Sequence, residues 1–237
     1  MILLGAIVNG LCIIFGTVIG KMLRSFPENM KGTVMQAIGL AVSVLGLQMA
    51  LKGENFLVVI ISLVLGAIVG EWFDLEGKLE SLGDWLEKKV GTRSEGNISL
   101  GFVTATLIFV IGAMGVIGAL DSGIRGNHDV LYTKAIIDGF ISLILTTTLG
   151  IGVLFSAVPV ILYEGLIALF ATQINRFVPE TLMNEFIVEM TATGGIMILA
   201  IGLNLLRITK IKVANLLPAI LVVGVIVSVM YGYKVYV

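Results

Sequence analysis

The feature that most constrains this chain is a series of apolar stretches, each long enough to cross a lipid bilayer. Eight can be drawn, over residues 2–22, 33–51, 55–73, 98–120, 131–155, 158–175, 186–206 and 213–233. A span needs about 20 mostly apolar residues. In hydrocarbon the backbone must bond within its own segment, so these stretches are read as helices. Runs such as Phe56 to Val69 do not alternate polar with apolar, which argues against β-barrel strands. The expected fold class is therefore all-α, a polytopic membrane helix bundle with about eight transmembrane helices. Composition agrees: 57% of residues are hydrophobic and 13% charged, against about 25% charged in soluble domains. The net charge of −1 says nothing about nucleic acid, but the sequence has no basic patch large enough for a phosphate backbone, so no nucleic-acid partner is expected. The expected partners are the lipid bilayer, a small solute or ion, and further copies of the chain in a homo-oligomer.

Basic residues set the expected orientation. One set of loops holds Lys21, Arg24, Lys31, Lys78, Lys88, Lys89, Arg93, Arg207, Lys210 and Lys212. The other holds Lys52, Arg125, Lys134, Arg176 and Lys234. The richer side belongs in the cytoplasm, which puts both termini outside a bacterial inner (plasma) membrane. The start, Met1-Ile2-Leu3-Leu4, has no basic region or cleavage site and reads as the beginning of a span. Cys12, alone in an apolar run, reads as a small packing residue.

Residues 74–92 are not a span. Leu75, Leu79, Leu82, Leu86 and Val90 share one helical stripe, with Glu76, Glu80, Asp84 and Glu87 off it. This is an amphipathic helix, and Trp72 and Trp85 suit the headgroup layer. Its acidic face is unlike that of a helix bound to anionic lipid. Packing on the bundle or a neighbouring subunit, or a solvated connector, are the two readings.

The two ends of the chain resemble each other. Asn9-Gly10-Leu11-Cys12-Ile13-Ile14-Phe15-Gly16-Thr17 aligns with Glu164-Gly165-Leu166-Ile167-Ala168-Leu169-Phe170-Ala171-Thr172. Pro27-Glu28 and Pro179-Glu180 follow. Gly46-Leu47-Gln48 matches Gly202-Leu203-Asn204, and Gly66-Ala67-Ile68-Val69 matches Gly224-Val225-Ile226-Val227. Spans 1–3 thus pair with spans 6–8 in opposite orientation, an inverted repeat of the kind used by secondary transporters. The organisation this implies is an N-terminal three-helix repeat (1–73), a cytoplasmic amphipathic helix and linker (74–97), a central two-helix insert (98–156) and an inverted C-terminal repeat (157–237). A competing match, Ala6-Ile7-Val8-Asn9-Gly10 with Ala135-Ile136-Ile137-Asp138-Gly139, does not extend to the following spans.

Ionisable groups at membrane depth are expensive and are functional candidates by default. Asp138 in span 5 and Glu164 in span 6, where the repeat puts Asn9 in span 1, are the deepest. Asp121, ending span 4, and Gln36 are further solute- or ion-binding candidates. Glu189 and Asp121 lie near span ends, where a side chain reaches the interface. The acids have no equally deep cation in the sequence, Lys134 being the nearest, which favours a cationic or neutral substrate or cation coupling. The run from Gly112 to Gly126 carries five glycines, Gly112 and Gly118 among them. It permits either a broken helix that exposes carbonyls to an ion or close packing before an exit loop. Gly16-x-x-x-Gly20 and Gly66-x-x-x-Gly70 let helices approach closely. A lone His128 beside Asp129 makes no metal site, and no cofactor is expected. Without a nucleophile–base pair, catalytic residues are not expected either and the chain does not read as an enzyme.

Phe109 to Gly126, Leu131 to Phe140, Gly5 to Lys21 and Leu65 to Glu71 also carry a family likeness. Their central pattern is G-x-M-x-x-x-G, a glycine-rich turn, then K-x-x-x-D-G. Over essentially its whole length the chain resembles the uncharacterised bacterial inner-membrane proteins typified by YdfK and YqgA, a domain-of-unknown-function group. The resemblance implies a multi-span membrane protein and marks Gly112, Met114, Gly118, Lys134, Asp138 and Gly139 as motif positions. It implies no substrate and no catalytic residues.

The leading expectation is a secondary transporter or permease. The alternative is a non-transporting scaffold or sensor acting through helix 74–92.

Overall fold

A computed structural model describes residues 1–23, 28–90 and 98–236. Arg24, Pro27 and Arg93, used in reading orientation and repeat, lie outside the described residues. The order is α1 (Leu4–Met22), α2 (Glu28–Ala50), α3 (Phe56–Phe73), α4 (Leu75–Val90), α5 (Ile98–Val110), α6 (Ala113–Ile124), α7 (Asp129–Leu149), α8 (Ala157–Phe177), α9 (Glu180–Leu205) and α10 (Pro218–Tyr236). Short 3₁₀ turns at Ile151–Ser156 and Val213–Leu216 precede α8 and α10. Among the described residues there is no strand. Seven segments are long and apolar enough to cross a membrane, and the bent pair α5–α6 makes an eighth if it crosses as one. Large apolar side chains such as Leu221, 75% exposed, and Phe15, 65% exposed, cover the outside, where lipid is the solvent they require.

The glycine-rich run opens on a break and then continues as a packed helix, α6. The stretch 98–120, drawn as one span, is two helices meeting at 62°. The fifth span also ends earlier than drawn. Gly150, at φ 84 and ψ −166, stops α7 in a conformation that favours glycine. Residues 151–155 are then a 3₁₀ turn packed against the start of α5, where Gly152 lets the Ile98 carbonyl approach.

The helices form two compact units, each assembled from separate stretches of the chain. The first comprises Met1–Ile38, Lys78–Val110 and Met114–Ile174. Its central seam is α1 on α7, made by glycines: Gly16 sits on the Gly139 carbonyl, Gly20 on that of Leu143, and Gly5 under Leu131. Between spans, small residues replace the hydrophobic effect, because lipid tails are as apolar as leucine and only close packing favours association. These contacts rise together in number, so α1 and α7 run parallel. If α2 and α3 both cross, parallel α1 and α7 require the bent pair to cross as well. α8 runs antiparallel to α1, with Gly165 near Leu3 and Gly10 near Ile161.

The second unit comprises Gly39–Gly77, Ile111–Ala113 and Asn175–Val237. Here α2 and α9 are antiparallel, with Gly39 against Gly202 and Gly46 against Gly195. α3 and α10 are also antiparallel, with Gly66 on Ala219 and Gly70 on Asn215. Asn215, 3% exposed, ties the end of α3 to the start of α4. Its Oδ1 accepts from the Glu76 amide at 2.7 Å and its Nδ2 donates to Glu71 Oε2 at 2.6 Å. Lys212 completes this knot on Glu71 at 2.7 Å, and that carboxylate raises the pKa of its ammonium above the ordinary lysine value.

α4 is the amphipathic helix expected over 74–92. Asp74 in the left-handed region, φ 47, turns the chain sharply from α3 into it. Gly83 packs on Ser99, whose hydroxyl donates to the Glu80 carbonyl at 3.3 Å. Trp72, Leu82 and Trp85 stay exposed.

Candidate functional site

The buried polar groups of the first unit converge on one place. α1 supplies Asn9, α7 supplies Lys134 and Asp138, and α8 supplies Glu164. None is more than 6% exposed. Asp138 lies about 14 Å along α7 at 1.5 Å per residue, near the middle of a bilayer of about 30 Å. The spacing of Lys134 and Asp138, four residues on a helix, puts both on one face.

The hydrogen bonds interlock. Asn9 Nδ2 donates to Asp138 Oδ2 at 3.0 Å and to Glu164 Oε1 at 2.8 Å. Lys134 Nζ pairs with Asp138 Oδ2 and lies 3.4 Å from Glu164 Oε1. Its third partner is the Phe109 carbonyl, at 2.9 Å. That carbonyl sits in the last turn of α5, where the break removes the amide that would have bonded it. The broken span and the charged cluster are therefore one construction. Gly115, in the first turn of α6, faces Lys134 and Glu164 without crowding them.

Two carboxylates and one ammonium leave an imbalance of one charge if all are ionised. Two oxygens, Asn9 Oδ1 and Glu164 Oε2, are buried without a hydrogen-bond partner. Thr17 on α1 and Ser142 on α7 bury unpartnered hydroxyls farther along the same seam.

Asn9, Asp138 and Glu164 are thus brought together, and the structure corrects the reading that the acids lack an equally deep cation. A span that starts at residue 131 leaves Lys134 within one turn of the loop. α7 begins at Asp129 and carries Lys134 into the interior. The signal available was the K-x-x-x-D spacing itself. The other candidates stand apart. Asp121, a quarter exposed, pairs at 3.3 Å with Arg125, just past the end of its helix. Gln36 is exposed on α2. Gly112 lies in the break, and Gly118 makes room for Leu131. Thr146, Thr147 and Thr148 donate back to carbonyls of their own helix. His128 meets the Ser122 hydroxyl at 2.7 Å.

Glu189, read as an acid near a span end, is buried in the second unit, 6% exposed, with its partners in the turn between α2 and α3. Its Oε1 accepts from the Glu54 and Asn55 amides at 3.1 and 2.8 Å, holding the α2–α3 turn. A cleft of about 310 Å³ beside it is lined by Glu54, Asn55, Glu185 and Lys234, among others. Lys234 donates to Glu185 there at 2.9 Å. Among the described residues no group of three or more His, Cys, Asp or Glu could hold a metal ion.

Residues 4–228 match the family described as DUF554, a protein of unknown function. The chain is similar to an uncharacterized membrane protein, YdfK, of Bacillus subtilis, at 31% identity over 97% of each chain. It is also similar to the uncharacterized protein YqgA of Escherichia coli, at 27% identity over 92% of this chain and 93% of the relative. No solved structure matches.

Proposed function

The chain belongs to the DUF554 family, and we propose that this membrane protein is a secondary transporter or permease, rather than an enzyme, for a small cationic or neutral solute or in cation-coupled exchange. The observation that carries this is the buried Asn9–Lys134–Asp138–Glu164 cluster at a broken span. A charged side chain at the bilayer centre costs about 2.5–3.5 kcal/mol on insertion scales. Structure alone has no need of three such groups on two neighbouring helices. Interrupted helices at mid-membrane are where transporters handle their cargo.

The packing supports an inverted repeat. Each mated pair, α1 with α8, α2 with α9 and α3 with α10, is antiparallel and in contact. The repeat alignment sends Gly39 to Gly195 and Gly46 to Gly202. The contacts Gly39–Gly202 and Gly46–Gly195 are therefore exchanged by it, as a two-fold axis between α2 and α9 requires. Asn9 and Glu164, mates in the alignment, are hydrogen-bonded to each other. With Lys134 inside, the poorer loops keep only Lys52, Arg125, Arg176 and Lys234. This supports placing both termini outside a bacterial plasma membrane.

The test is flux in proteoliposomes, screening monovalent cations and cation-driven solute uptake. Wild type should conduct, and Asp138→Asn and Glu164→Gln should each lower the rate at least about tenfold, as loss of a charge-assisted hydrogen bond implies. Unchanged flux in both would remove the site. A second reading, a scaffold or sensor, is favoured only by the exposed Trp72, Leu82 and Trp85 around α4. It requires that repatterning α4 abolish function while neutral replacement of the acids is tolerated.

A further inference from the structure

We infer that Asn9 Oδ1 and Glu164 Oε2 together take one monovalent cation, a sodium ion or a proton, beside a Lys134 that remains in place. This rests on reading the cluster as a transport site. The first ground is a count of donors. The ammonium has three protons, and its three neighbours are the Phe109 carbonyl, Asp138 Oδ2 and Glu164 Oε1. The Asn9 amide has two, which go to Asp138 Oδ2 and Glu164 Oε1. The N–H groups of Lys134 and Asn9 are engaged by these three acceptors, while two fully buried acceptor oxygens have no partner. Nothing inside the cluster can satisfy them, so the missing positive charge or proton must come from outside it.

The second ground is charge. Two carboxylates against one ammonium leave a single negative charge in a medium that penalises it. One monovalent cation brings the cluster to neutrality, whereas a divalent ion overshoots by one. The third ground is ligand chemistry. Both free atoms are oxygens, one amide and one carboxylate, which suit a hard ion or a proton and not a soft metal. The groups facing Glu164 add no other charge. α7 presents Lys134 and Asp138, α1 presents Asn9, α6 presents Gly115, and α8 adds the neighbouring Tyr163.

The experiment uses the purified full-length chain in detergent, so that binding is read without transport. Radiolabelled sodium binding and the thermal unfolding midpoint are followed during a sodium titration at alkaline pH, with choline keeping ionic strength constant. A parallel pH titration without sodium reads the proton arm. We expect one sodium ion, or one proton, per chain. Glu164→Gln should weaken that uptake at least about tenfold. Asn9→Asp, nearly isosteric, should shift preference from sodium to calcium because it adds the second negative charge. Saturable sodium stabilisation identifies sodium; a pH response indifferent to sodium identifies the proton. Identical titrations for wild type and Glu164→Gln, or a wild type that prefers calcium, overturn the inference. Flux without this binding rejects the cation site and spares the transport reading. Binding without flux does the reverse.

Discussion

Lys134 on α7 donates to the main-chain carbonyl of Phe109 on α5, 2.9 Å away, in the turn where the fourth span breaks. The same ammonium neutralises Asp138 and approaches Glu164. One side chain thus serves the backbone and the charge balance together, and its removal has to disturb both.

Lys134→Met is expected to cost about 3–5 kcal/mol, the usual consequence of stripping a buried pair of one partner. Adding Asp138→Asn should recover part of the loss, with a coupling of about 1–3 kcal/mol for residues in one network. Denaturant or thermal unfolding of the two single variants and the double variant in detergent measures it. Strictly additive losses would show that the two side chains do not act as a pair.

Gly16→Ala drives a methyl group into the Gly139 carbonyl, a backbone atom that cannot turn aside. Overpacking of this kind costs about 1–3 kcal/mol. The expected result is a lowered unfolding midpoint. Gly32→Ala, with nothing within 4 Å of the added carbon, should leave the midpoint unchanged or raise it slightly.

Glu189→Ala removes the acceptor for two backbone amides of the α2–α3 turn. A loss of about 1–3 kcal/mol is expected, and Glu189→Gln, which keeps an oxygen, should lose less. Flux should survive in any fraction that remains folded. A Glu189→Gln protein that is stable but inactive would move this residue from structure to function.

Topology can be read by labelling single cysteines in a Cys12→Ser background. Glu180→Cys should react in intact cells, and Ile208→Cys and Trp85→Cys only in inverted vesicles. Ile208 and Trp85 are well exposed. Reaction of Glu180→Cys and Ile208→Cys from the same side would remove the inverted repeat.

The sequence makes the spans legible because lipid demands long apolar runs, and the leucine stripe of α4 follows from helical period. Its alignment of the two ends pairs Asn9 with Glu164 through local matches alone, and these two side chains are hydrogen-bonded. What escaped depended on where a residue sits along its helix or on what comes near it in space. Lys134 looked like a loop cation because a start at 131 rather than Asp129 changes its depth. The role of Glu189 was hidden because its partners, the amides of Glu54 and Asn55, lie far from it in the chain. The glycines from 112 to 126 allowed both a break and close packing. The structure uses both, a bend near Gly112 and the contact of Gly118 with Leu131.

The bend between α5 and α6 has no proline to enforce it. What holds the freed carbonyl of Phe109 is a positively charged side chain from another helix. The hinge therefore has a pin that responds to electric charge. Anything that draws the ammonium toward the acids or releases it from them also changes the grip on the main chain. An ion taken up beside the acids, as proposed above, would act one hydrogen bond away from the main chain of a span.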